Sequence, residues 1–231
     1  MRDATLIMAY YNNPRMLKEQ LKFIGALDPE VRAHLDLTIV DDCSPDSPAI
    51  DVWRNPGVRE ARLYRMLVDL AWNWTSCKNL AVAEAQTEWV LMTDIDHYVP
   101  EGTLRTVLQM DADPDTIYRF TRVTAPDMTP YKPHPNSWFM TCDMFRRLGG
   151  YDENFAGTYG NDGRFGADCR RLAGDIVLLD RPLIRVPREV VKDASTRGMD
   201  RKGPENDRKK AEIMALGLPK RTGRFPWKRL R

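Results

Sequence analysis

The stretch that most constrains this chain is Trp89-Val90-Leu91-Met92, an uninterrupted apolar run that soon meets Asp94-Ile95-Asp96. A run with no polar alternation fits a strand covered on both faces, as in a parallel sheet flanked by helices. Open α/β sheets bind their ligands beyond the carboxyl ends of such strands. Asp94 and Asp96 are two apart, so on extended backbone they point to the same side. Two hard oxygen donors there suit a divalent cation bound together with nucleotide phosphates. Taken alone, the stretch fits an Asp-rich turn equally well, because Asp is common in turns and Asp-x-Asp is a short pattern.

The neighbouring segments decide the fold class. Residues 5–9, 35–40 and 61–68 read as further short strands. Residues 16–27, with Leu17, Leu21 and Ile24 at helical spacing, read as a helix, as do 76–85 and 101–110. Strands alternating with helices through short connections predict a doubly wound α/β sheet. The second half is less regular. Strands are expected at 116–123 and 137–141, and a short helix at 143–148 closed by Gly149-Gly150. The four prolines of 125–136 imply an irregular connection or a lid, and the four glycines of 157–166 a mobile loop leading into a helix at 167–173. Two short strands, 176–179 and 183–186, complete a domain taken as residues 1–192. A charged extension, 193–231, carries one helix at 204–216.

Length and apolar content suit one globular domain with a proper core. No apolar run approaches the roughly 18–20 residues that cross a bilayer. The N-terminus reads as a strand and lacks the features of a signal peptide. Cys43, Cys77, Cys142 and Cys169 are scattered without metal-site spacing, which predicts free thiols in a reducing cytoplasm. The net charge of +2 conceals an asymmetry, because Lys220, Arg221, Arg224, Lys228, Arg229 and Arg231 crowd the end of the chain with no acid among them. With Phe225 and Trp227 interspersed, this tail is a candidate for contacting DNA or an anionic membrane. A solvated terminus is the alternative.

Five segments in order resemble family 2 glycosyltransferases of the GT-A fold, across most of residues 4–186. They are Leu6 to Pro14; Val40-Asp41-Asp42-Cys43-Ser44-Pro45-Asp46; Lys78-Asn79-Leu80-Ala81 followed by Glu88-Trp89-Val90; Asp94-Ile95-Asp96; and Gly149-Gly150-Tyr151-Asp152-Glu153 followed by Asn161-Asp162. The resemblance implies that Asp42, with Ala9 and Tyr11, holds the base of a UDP-type donor. Lys78, Asn79 and Asp94 would contact the rest of the donor, and Asp96 would ligate Mn2+ or Mg2+ on its diphosphate. Asp162 would be the general base that activates an acceptor hydroxyl for inversion.

Other positions depart from the pattern or extend it. Asn161 replaces the usual first acid and is a candidate acceptor contact. His97 is either a further metal ligand or an exposed turn histidine. Asp193 lies where some relatives place a late metal-binding histidine. Trp138, with Phe139 and Met140, suits an acceptor platform or the core. The implied activity is transfer of a sugar to a saccharide, a lipid-linked glycan or a modified nucleic acid. Such an enzyme is expected in the cytoplasm, peripheral to a membrane, or in a virus-infected host cell. A nucleotidyltransferase competes, although residues 9–14 lack the glycine-rich loop common there. An inactive binding relative also competes; Asn161 favours it, and retention of Asp94 and Asp96 opposes it.

Overall fold

The computed structural model describes residues 1–195 and 203–231. Its first half follows the apolar runs: β1 (Ala4–Tyr10), α1 (Pro14–Gly25), a single turn α2 (Pro29–Arg32), β2 (Leu35–Asp41), β3 (Glu60–Met66), α3 (Trp74–Ala83) and β4 (Trp89–Asp94). β1 to β4 are mutually parallel, in the order β3-β2-β1-β4. Both faces of this sheet are covered. Leu6, Leu37 and Leu91 point into one apolar layer with Leu17 and Leu104, while Ile7, Val90 and Met92 point into a second with Val82 and Phe145. That two-sided burial is why these strands show no polar alternation. Each such side chain contributes about 1.5–3 kcal/mol by leaving water.

The second half comprises β5 (His97–Tyr98), α4 (Glu101–Gln109), β6 (Thr116–Thr124), β7 (Thr129–Tyr131), β8 (Trp138–Thr141), α5 (Cys142–Arg147), α6 (Asn161–Leu172), β9 (Asp175–Arg185), α7 (Pro204–Ala215) and β10 (Trp227–Arg229). β8 runs antiparallel to β4 and β6, and β6 pairs parallel with β9. The carboxyl end of β6 therefore lies at the same sheet edge as the carboxyl ends of β1, β2 and β4.

Several elements differ from the sequence expectation. The glycine-rich 157–166 stretch is not all loop, because α6 begins at Asn161. Asn161, Phe165 and Cys169, spaced by four, are all buried on one stripe, and that packing outweighs the helix penalty of Gly163 and Gly166. Residues 125–136 contain a short strand, since Pro130 in β7 sits on an outer edge where a missing donor costs little. The two expected late strands are halves of β9: Phe120 pairs with Leu179 and Thr121 with Pro182, so two residues bulge out between them.

The basic tail is not a solvated terminus. β10 adds an antiparallel strand beside β3, and Trp227 packs edge-on against Tyr64 at 5.5 Å. Upstream, Lys220 reaches Asp168 at 2.8 Å, and the amides of Gly223 and Arg224 donate to the buried Glu153 carboxylate at 3.0 and 2.7 Å. The four cysteine thiols are unpaired. No helix among the described residues is long and apolar enough to cross a membrane.

Candidate active site

The expected donor residues converge at the carboxyl edge of the parallel strands. Ala9 pairs with Val40 on one side and Asp94 on the other, so it sits between the Asp41-Asp42 turn and the Asp94-x-Asp96 turn. The two adjacent aspartates divide their roles. Asp41 is buried and spent on structure: it accepts from the amides of Ser44 at 2.7 Å and Ala49 at 2.9 Å, and from Arg65 at 2.9 Å. Asp42 is equally buried, yet one of its oxygens has no hydrogen-bond partner among the described residues. Burial, followed by the charge of Asp41, pushes its carboxyl up to about 8. Tyr11, close enough to feel the Asp42 charge, donates to Asp69 at 3.2 Å; burial and Asp69 raise its hydroxyl to about 12.

Lys78, on α3, is fully buried and meets Asp94 at 2.7 Å and the Asn136 carbonyl at 3.1 Å. His134 approaches the other Asp94 oxygen at 3.4 Å and bonds Ser137 at 2.8 Å. Burial alone would raise the Asp94 carboxyl, but Lys78 and His134 hold it well below the usual carboxylate range. Burial lowers His134, and the facing Asp94 opposes that shift. Sequence reasoning left His134 within the lid or irregular connection of 125–136, because it lies 40 positions from Asp94 and only tertiary packing joins them.

Asp96 is differently placed. One oxygen meets His97 Nδ1 at 2.8 Å, and His97 Nε2 faces the Arg122 guanidinium at 3.2 Å. Arg122 can only donate, so Nε2 accepts and Nδ1 donates to Asp96. His97 is thus no exposed turn residue: it is 1% exposed, has both nitrogens engaged, and orients Asp96. The second Asp96 oxygen has no hydrogen-bond partner among the described residues. No cluster of three His, Cys, Asp or Glu side chains among them is arranged to hold a metal ion. A nucleotide-bound Mn2+ or Mg2+ needs only one or two carboxylates with the phosphates supplying the rest, and the half-free Asp96 fits that requirement.

The remaining expected residues fall outside this row. Asn79 is a structural tie, bonding the backbone of Tyr151 at both ends and Glu153 at 2.8 Å. That closeness demands glycine at 150, where a Cβ would lie 2.8 Å from the Asn79 amide oxygen and φ is +61°. Asp193 accepts from the amides of Arg15 and Met16 at 2.8 and 2.9 Å, and so caps α1. Trp138 is 2% exposed and packs on Phe165 and the Arg119 guanidinium, which leaves no face for a saccharide. Asn161 spends its amide on the carbonyls of Phe155 and Thr158. Asp162, one residue on, is half-buried in the first turn of α6, with no ion pair or hydrogen bond among the described residues.

No family model and no curated protein sequence matches the chain. Solved structures do. S. aureus TarS 1–349 aligns with a TM-score of 0.63 at 16% identity, over 83% of this chain and 63% of that one. Its complex with UDP-GlcNAc gives 0.65 at 15% identity, over 92% and 71%. The mannosyltransferase PcManGT of Pyrobaculum calidifontis, in complex with GDP-Man and Mn2+, gives 0.61 at 20% identity, over 80% and 57%. The chain thus spans less than two-thirds of two of these three structures. The parallel β1–β4 core with an antiparallel β8, aligned over most of the chain with these glycosyltransferases, identifies the architecture as the GT-A fold.

Proposed function

We propose that this chain is a glycosyltransferase that moves a sugar from a nucleotide-diphosphate donor, of the UDP type, to a hydroxyl acceptor with inversion. The observation that carries this reading is the carboxylate row: Asp42 with an unsatisfied oxygen, Asp94 neutralised by Lys78, and Asp96 half free.

Asp42 is placed for the base: its one bare, buried oxygen can accept an N–H such as N3–H of uracil. Ala9 and Tyr11 flank the base, and Asp94, held by Lys78, receives the ribose or sugar hydroxyls. Lys78 is wholly consumed by Asp94 and Asn136, so its part is to fix that carboxylate. Asp96, oriented by His97, is the carboxylate for Mn2+ or Mg2+. When bound, that ion neutralises the charge developing on the leaving diphosphate.

Asp162 is the general base. Its carboxylate takes the acceptor hydroxyl proton as the acceptor oxygen bonds to the sugar C1 and the bond from C1 to the diphosphate oxygen breaks. A single displacement inverts the anomeric centre. The acceptor is a saccharide, a lipid-linked glycan or a modified nucleic acid, and the exposed basic tail suits contact with DNA or an anionic membrane.

The test is a thermal-shift screen of UDP, GDP, CDP and dTDP compounds with and without Mn2+. Metal-dependent stabilisation by a uridine nucleotide, lost in Asp96→Ala, is expected. If no nucleotide raises the melting temperature, the assignment falls.

A further inference from the structure

Nearly every buried cation on the donor side has a carboxylate partner, whereas the second half holds a guanidinium pair that does not. Arg122, near the carboxyl end of β6, is 6% exposed. Its Nε donates to the Lys132 carbonyl at 2.8 Å, and one terminal nitrogen faces His97. Its other terminal nitrogen has no hydrogen bond among the described residues. Arg185, at the end of β9, lies beside the His97 backbone through the β5–β9 pairing. Its guanidinium makes neither a hydrogen bond nor an ion pair among the described residues. The exposed ring of Tyr131 joins the two, with the Arg122 guanidinium 4.6 Å and that of Arg185 5.7 Å from its centroid. Lys132 adds a third positive charge at the rim. Two guanidiniums held close to one another, with no acid in ion-pair contact, are costly unless an anion joins them.

Their place in the sheet says which anion. Resting on the function proposed above, the donor runs from Asp42 at the end of β2 to Asp94 and Asp96 beyond β4. In the order β2-β1-β4-β8-β6-β9, Arg122 and Arg185 come after that span, on the same carboxyl edge. His97 stands between Arg122 and Asp96. We infer that Arg122 and Arg185, braced by Tyr131, form a phosphate-binding subsite separate from the donor diphosphate, and that the acceptor carries a phosphate which docks there. Forked guanidinium donors match phosphate oxygens in geometry as well as charge.

The probe is inorganic phosphate, titrated calorimetrically into the full chain, first alone and then saturated with the nucleoside diphosphate found by the donor screen together with Mn2+. Phosphate binding is expected to persist in the saturated protein. Arg185→Gln is expected to weaken it about tenfold, the loss of one charged hydrogen-bonding partner, and to leave nucleotide affinity within about twofold. Arg122→Gln, checked for folding by circular dichroism, serves as the second variant and weakens phosphate in the same direction. Loss of phosphate binding on saturation with nucleotide would place these cations on the donor diphosphate and overturn the separate subsite. Equal phosphate affinity in wild type and both variants would overturn the site altogether. A protein that binds phosphate through Arg185 but no nucleotide would keep the subsite and refute the transferase reading instead.

Discussion

On the β1–β4 side, buried charges find partners within the chain: Arg62 meets Asp36 at 3.0 Å, Arg65 meets Asp41 at 2.9 Å, and Lys78 meets Asp94 at 2.7 Å. On the β6–β9 side, Arg119 stacks on Trp138 and bonds the His134 carbonyl, and Arg122 bonds a carbonyl and an imidazole. Burial lowers both of these guanidiniums, whose contacts are neutral. A surface built to receive a ligand keeps donors and charge in reserve, and a scaffold consumes them. The first side is organised as a rigid platform that leaves only selected carboxylate oxygens unspent. The second is bulged, carries the half-buried Asp162 with no partner among the described residues, and is tied down by a strap from the far end of the chain.

The largest test of this contrast is chemical. Asp162→Asn removes a carboxylate that holds nothing else, so transfer should fall about 10²–10⁴-fold while donor binding and melting temperature stay near wild type. Transfer at the normal rate would show that another group takes the proton. Asp94→Asn should behave in the opposite manner. It strands the fully buried Lys78, and unfolding in urea should reveal a loss of about 3–5 kcal/mol in addition to weaker donor binding. A stable Asp94→Asn protein would mean that the platform is not held by that pair.

The strap offers a middle case. Glu153→Gln weakens the acceptor shared by Asn79, Gly223 and Arg224, and should cost about 1–3 kcal/mol. Limited proteolysis should then cut the chain after residue 218 sooner than in wild type; an unchanged cleavage rate would remove the strap from the account.

The last test depends on pH. The Asp42 carboxyl is raised in the folded state, so between the unfolded value near 4 and about 8 the native protein binds the extra proton. Stability is then greatest at low pH within that window and falls as pH rises, by at most about 1.4 kcal/mol per unit. Asp42→Asn should flatten this slope, with the variant gaining on wild type between pH 5 and 8. Parallel melting curves for the two proteins would rule out the raised carboxyl.

What was legible in the sequence follows the same division. The platform announces itself because its strands are buried on both faces by local apolar runs, and because its carboxylates sit where those runs stop. Within the site, Asp94 is the last residue of β4, and Asp42 and Asp96 follow shortly after β2 and β4. The roles of His134, Arg122 and Glu153 were not legible, because each acts through a partner 25 to 74 positions away. Likewise, the first part of α6, ahead of the helix expected at 167–173, was hidden by its glycines, whose low helix propensity says nothing of the packing that Phe165 finds.

The chain alone therefore determined the alternation of strands and helices, the two-sided core and the acidic row at one edge, since these arise from residue type and short spacing. Only the tertiary structure decided which acids are spent and which are available. Asp41 and Asp42 are adjacent and identical in kind, yet one is saturated by Ser44, Ala49 and Arg65 while the other keeps a bare oxygen. The basic tail shows the same limit: its composition reads as a free arm, and an unfilled edge on β3 makes it a strand. Hydrogen-bond partners and open sheet edges are set by the assembled fold, and no local pattern encodes them.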